Sequence, residues 1–159
     1  MIRTAVISDC GLYRYQLDRV WDTALPVLAV LMLNPSTADG TTDDHTITKL
    51  IEFARRLGYG GFVVVNLFAF RATKPADMRA AADPVGPLND HYIALALHRC
   101  PTLLCAWGTN GKNDPREADV RELLRMCGVH TFALRINADG TPAHPLMLPY
   151  SCKLERYDT

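Results

Sequence analysis

The chain has 159 residues, 48% of them apolar, and a formal net charge of zero. That size and composition suit a single packed domain and exclude a disordered chain. Zero net charge excludes a protein that grips long duplex nucleic acid by bulk charge, while leaving room for a local basic groove or a small nucleotide as ligand.

In chain order, residues 1–23 alternate apolar and polar side chains in places, with a break at Asp9-Cys10-Gly11. This predicts an N-terminal β-hairpin or a pair of edge strands. Residues 27–33, VLAVLML, form a continuous apolar run, which fits a strand covered on both faces. A polar loop over 34–43 leads to a helix predicted over about residues 44–57. There Ile47, Leu50, Ile51 and Ala54 share one face, and Gly58 supplies a stop. A second buried strand is expected over 61–70, and a helix over 89–99 with Asn89 or Asp90 as its cap. A third strand follows at 102–107. Asp114-Pro115-Arg116-Glu117 has the order of a helix start, with Val120, Leu123, Leu124 and Cys127 on its apolar face and Gly128 at its end. A fourth strand is expected over 130–134, and the remaining tail reads as a turn and an extended segment.

Buried strands alternating with helices imply one α/β domain over 1–159. The expected architecture is three-layer α/β/α, with a mostly parallel central sheet of about four strands plus the N-terminal β-hairpin over 1–23. The longest apolar run, Ala24 to Leu33, contains Pro26 and is too short to span a bilayer. The start MIRTAVISDC lacks the basic and then apolar character of a signal peptide, so a soluble cytoplasmic protein is expected. Five cysteines occur without a CxxC pair, which suggests neither a disulfide framework nor a zinc site. Four of them read as buried thiols in apolar surroundings. Of the 17 basic residues 13 are Arg, a bias that suits phosphate or carboxylate contacts and equally suits surface ion pairs.

Ligands in sheets of this kind bind outside the carboxyl ends of the strands. Four polar groups fall at those ends: Asn34-Pro35-Ser36, Asn66-Leu67-Phe68, Trp107-Gly108 and the segment with His144-Pro145. Asn34 offers an amide acceptor and donor, Pro35 holds the chain extended, and Ser36, Thr37 and Asp39 add short polar groups. Asp43 and Asp44 precede the first helix, where an N-cap is the plain structural reading. Asn66 interrupts an apolar strand, as a turn residue or as a reader of a base edge. Phe68 and Phe70 either stack on a planar ligand or pack in the core. Arg71 and Lys74 follow in a loop, within reach of phosphate. Trp107-Gly108 with Gly111 makes a glycine turn able to present N–H groups to an anion. It matches neither a dinucleotide fingerprint nor a P-loop, and no cofactor or metal-ligand spacing is evident.

The segments L-N-P-S-T-A-D, D-x-T at 44–46, N-L-F-A-F-R-A-T-x-P at 66–75, P-V-G at 84–86 with Asn89-Asp90, A-W-G at 106–108 and H-P-L at 144–146 resemble a bacterial and phage family known as a domain of unknown function. The likeness runs from about residue 10 to 150. One departure is His45, where Pro is common in the family. The order L-M-L-N-P-S, V-V-V-N-L, C-A-W-G, A-H-P-L also resembles, more distantly, the uracil-DNA glycosylase superfamily. Met32 stands where that superfamily has Gly, and Leu146 where it has Ser.

This second resemblance implies a parallel sheet between helices and an N-glycosidic hydrolase acting on a base, including a modified one, in nucleic acid. Under it Asn34 orients the attacking water, with Asp39 or Asp44 as base. Asn66 reads the base, Phe68 stacks on it, and His144 donates to the leaving group. Pro35, Ser36, Thr37, Arg71, Trp107 and Gly108 complete the expected substrate contacts, with no cofactor or metal. Two other readings stay open: a binder or enzyme for a free nucleotide or nucleoside, and a non-enzymatic interaction protein.

Overall fold

A computed structural model describes residues Met1–Thr159. Its strands are β1 (Ile2–Ile7), β2 (Arg14–Val20), β3 (Val27–Met32), β4 (Gly61–Asn66), β5 (Thr102–Cys105), β6 (His130–Ala133) and β7 (Glu155–Arg156). Its helices are α1 (His45–Arg56), α2 (Pro75–Arg79), α3 (Asn89–Arg99) and α4 (Pro115–Cys127). All seven strands join one sheet in the order β1-β2-β4-β3-β5-β6-β7.

The sheet is larger and more mixed than the sequence suggests. The pairs β4–β3, β3–β5 and β5–β6 are parallel. The pairs β1–β2, β2–β4 and β6–β7 are antiparallel. The expected N-terminal hairpin is present as β1–β2, but β2 is an interior strand rather than an edge, because β4 pairs along its other side. β7 and the five-residue α2 are too short to announce themselves in the sequence.

The continuous apolar run of β3 has the predicted cause. Leu28, Val30 and Met32 enter one core cluster and Ala29 and Leu31 the other, as alternating side chains must. On the first face α1 contributes Ile47, Leu50, Phe53 and Ala54, joined by Leu148 from the C-terminal segment. On the second, α3 contributes Ile93, Ala96 and Leu97, and α4 Val120 and Leu124.

Local signals fix the helix ends. Asp44 is extended and caps α1, accepting from Ile47 N–H at 2.9 Å. Asp114 caps α4, accepting from Arg116 N–H at 2.9 Å, with Pro115 in the first turn, and Gly128 ends the helix at φ 64°. α3 departs from expectation, since Leu88 holds the cap position and Asn89 turns inward. The predicted third strand stops at Cys105 and the second at Asn66. Of the cysteines only Cys100 and Cys105 are buried; Cys10 and Cys127 are exposed and Cys152 is half-buried. No helix is long and apolar enough to cross a membrane.

Within the parallel strands, the chain leaves β3 through α1 to reach β4 on one side. It then returns past β3 through α2 and α3 to β5 on the other. Successive connections therefore diverge between β3 and β5, and a crevice opens at their carboxyl ends.

Candidate functional site

A cleft of about 520 Å³ lies at that crevice, within the usual size of a small-molecule site. Its walls include Asn34, Ser36, Thr37, Asp44, Asn66, Trp107, Gly108 and His144. The four strand-end groups thus meet in one place. Arg14 from β2 lines the same cleft.

Backbone ladders that continue past the strand ends bring these groups together. Leu67 N–H donates to Met32 O, Phe68 N–H to Leu33 O and Ala72 N–H to Pro35 O, so the chain after β4 runs beside the chain after β3. Asn34 locks that pairing: its Nδ2 donates to Ala72 O at 2.8 Å and to Pro35 O at 3.1 Å. Both amide hydrogens are then engaged with carbonyls, so the orientation is set and Oδ1 is left as the available acceptor.

Asn66 is held differently. Asn89 Nδ2 donates to the Asn66 and Leu67 carbonyls at 2.9 and 3.0 Å, and Arg116 Nε donates to Leu67 O at 2.7 Å. The Asn66 backbone is fixed from beneath. Its side chain, on a residue only 1% exposed, keeps a buried Nδ2 with no protein partner. Leaving such a donor unpaired costs on the order of 1–3 kcal/mol.

Asp44 has two tasks. One oxygen, Oδ1, caps α1, which is the plain reading of this residue, and the carboxylate also lines the cleft. His144 stands on a segment anchored by Gly108 N–H to Pro142 O and Ala143 N–H to Arg135 O. Gly108 lies beside the His144 Cβ and has φ +72°, a backbone conformation that favours glycine. The Nδ1 of His144 accepts from Leu146 N–H at 3.2 Å. A neutral ring so held carries its proton on Nε2. The ring is exposed at the rim, yet flanked closely enough that burial pushes its pKa below the ordinary value, and Asp44 offsets this in part.

Trp107 is almost fully buried, edge-on to Tyr157 at 5.8 Å, with its Nε1 unpartnered. Gly111 lies so close that a Cβ there would come within 2.4 Å of the indole. Gly108 and Gly111 spend their N–H groups on Pro142 O and Gly108 O, so this turn does not offer them to an anion.

Four expected residues lie outside the cleft walls. Phe68 is buried in the core, with the Arg79 guanidinium 5.9 Å from its ring, which leaves no face for a ligand. Pro35 is buried. Arg71 donates to Gly11 O at 3.4 Å. The Asp39 carboxylate closes a turn, accepting from the N–H groups of Thr41 and Thr42 and from the Thr41 hydroxyl. Those bonds hold its pKa down to about 2, too low for an effective base at neutral pH.

Arg14 is the residue that sequence reasoning misses. It is 3% exposed, and its Nη1 donates to Ala38 O at 2.7 Å. Its Nε is buried without a partner, and no carboxylate forms an ion pair with it. Burial lowers its pKa to about 10, against the pull of Asp44, so it remains a cation at neutral pH. The available signal was an Arg set between Tyr13 and Tyr15 in a strand.

Residues 14–146 match the model of a family described as a protein of unknown function (DUF1643), and the chain belongs to that family. No curated protein and no solved structure matches it.

Proposed function

We propose that this member of the DUF1643 family hydrolyses an N-glycosidic bond of a nucleotide unit, with the base seated in the cleft between the ends of β3 and β5. The observation that carries the reading is Asn66, which lines that cleft and holds a buried Nδ2 without a protein partner. An amide carries one donor face and one acceptor face, the complement of a base edge.

The remaining walls suit the same reaction. Glycosidic cleavage builds positive charge on the sugar and negative charge on the departing base. The Asn34 Oδ1 accepts one hydrogen of a water, and the Asp44 oxygen not used for capping takes the other as a proton. The water oxygen bonds to the anomeric carbon. The C–N bond breaks, its electron pair leaves with the base, and the Nε2–H of His144 donates a hydrogen bond to the developing anion. The base finally takes a proton from solvent. A neutral imidazole suits this donor role, because its proton is offered without being lost.

The test is release of free base, followed by mass spectrometry, from a panel of oligonucleotides and free nucleotides bearing ordinary and modified bases. Wild-type protein releases base from at least one member, and His144→Ala and Asn34→Ala each slow it by ~10²-fold or more. Failure of wild type on the whole panel overturns the reading. Zero net charge favours a second reading, a free nucleotide rather than a strand as the substrate, and the two halves of the panel separate them.

A further inference from the structure

We propose that Arg14 forms an anion subsite in this cleft and seats a phosphoryl group attached to the sugar of the ligand. The proposal rests on the cleft taking a nucleotide unit. The guanidinium is almost fully buried, lines the cleft, and has one protein acceptor, the Ala38 carbonyl. A buried cation is stable when paired, and nearly all buried charges in folded proteins have a counter-charge in contact. On the same strand Arg19 obeys that rule, with Asp43 at 2.7 Å.

A second feature points to the same place. The N-terminus of the twelve-residue helix α1 lines the cleft through His45, Thr46 and Ile47. Asp44 satisfies the Ile47 N–H, while the N–H groups of His45 and Thr46 have no protein acceptor. Free first-turn donors and a guanidinium lining one cleft are the groups that recognise phosphate. Asp44 shares this wall and is the one carboxylate lining the cleft. With Oδ1 tied to the helix it supplies negative charge without closing an ion pair on Arg14, which leaves Arg14 donors for the ligand.

Calorimetric titration of the full chain with base-free probes tests this whatever the base is. 2-Deoxyribose 5-phosphate binds wild type at least tenfold tighter than 2-deoxyribose. Arg14→Met weakens the phosphorylated sugar by on the order of ten- to a hundredfold, and Arg14→Lys recovers part of the loss. An abasic trinucleotide titrated alongside assigns the source: a tighter trinucleotide indicates a strand phosphodiester, and a tighter monoester a free nucleotide. Equal binding of the two sugars, or no binding of either phosphorylated probe at millimolar concentration, overturns the subsite from wild type alone, even if Arg14→Met fails to fold. Unchanged binding of the phosphorylated sugar by a folded Arg14→Met also overturns it. Base release separates the two claims. Phosphate-dependent binding without any base release leaves the subsite standing and removes the hydrolase, while base release undiminished in Arg14→Met does the reverse.

Discussion

Two ends of one strand treat the same side chain in opposite ways. At the far end of β2, Arg19 is fully buried and satisfied: Nε meets Asp43, and Nη1 and Nη2 reach the carbonyls of Asp18, Asp39 and Thr42. At the near end, Arg14 is equally buried and has one carbonyl. The two amides beside β4 repeat the contrast. The Asn89 Nδ2 donates twice to backbone, with only its Oδ1 left unpartnered, whereas the Asn66 Nδ2 donates to nothing. Arg19 and Asn89 hold the scaffold. Arg14 and Asn66 line the cleft, and under the proposed function a ligand supplies their missing partners.

The contrast predicts a ranked set of effects. Arg19→Met removes the centre of the loop anchor and should lower unfolding free energy by about 3 kcal/mol or more. Arg14→Met, losing one hydrogen bond while relieving an unpaired buried charge, should change it by no more than about 1 kcal/mol. Chemical denaturation of both variants checks the pair, and equal losses would erase the distinction. Next in size, Asn89→Ala removes the hydrogen bonds to the Asn66 and Leu67 carbonyls, of which only the second keeps another donor, Arg116, and should cost about 1–3 kcal/mol.

His144 sharpens the account through pH. Its folded pKa lies below the ordinary value near about 6.5, so the neutral donor form persists at neutral pH. Base release should hold level there and fall as pH drops through the folded value, when protonation also breaks the bond from Leu146 N–H. The unfolded chain takes up that proton first, so stability falls with pH across the same window. A pH–rate profile rising toward acid would contradict the assigned role. The smallest effect belongs to the scaffold alone: Asp114→Ala removes the α4 cap and should cost about 1 kcal/mol by thermal unfolding, with base release unchanged.

Much of this arrangement is legible in the sequence. Strands β3 to β6 show as apolar runs punctuated by Asn34, Asn66, Trp107-Gly108 and the His144 segment, and the rule that ligands lie at strand carboxyl ends brings those residues together. Other features are hidden for physical reasons. Arg14 and Arg19 sit in a strand whose polar content reads as a solvent-facing edge, because one-dimensional alternation does not reveal that β4 pairs with it. Phe68 follows Asn66 at a spacing that suits either a ligand or the core, and the chain's path after β4 sends it to the core. Asp39 and Asp44 look alike in a string of short polar residues. The helix that Asp44 caps is legible from the apolar face that follows it, whereas the turn that consumes Asp39 appears only in three dimensions.

The most direct test is Asn66→Ala, measured for unfolding free energy and for base release on the same preparation. The account predicts stability within about 0.5 kcal/mol of wild type, or a slight gain, because an unpaired buried donor is removed, together with base release slowed by at least ~10-fold. A loss of 1–3 kcal/mol like that expected of Asn89→Ala, with base release unaffected, would make Asn66 a structural residue and contradict the account.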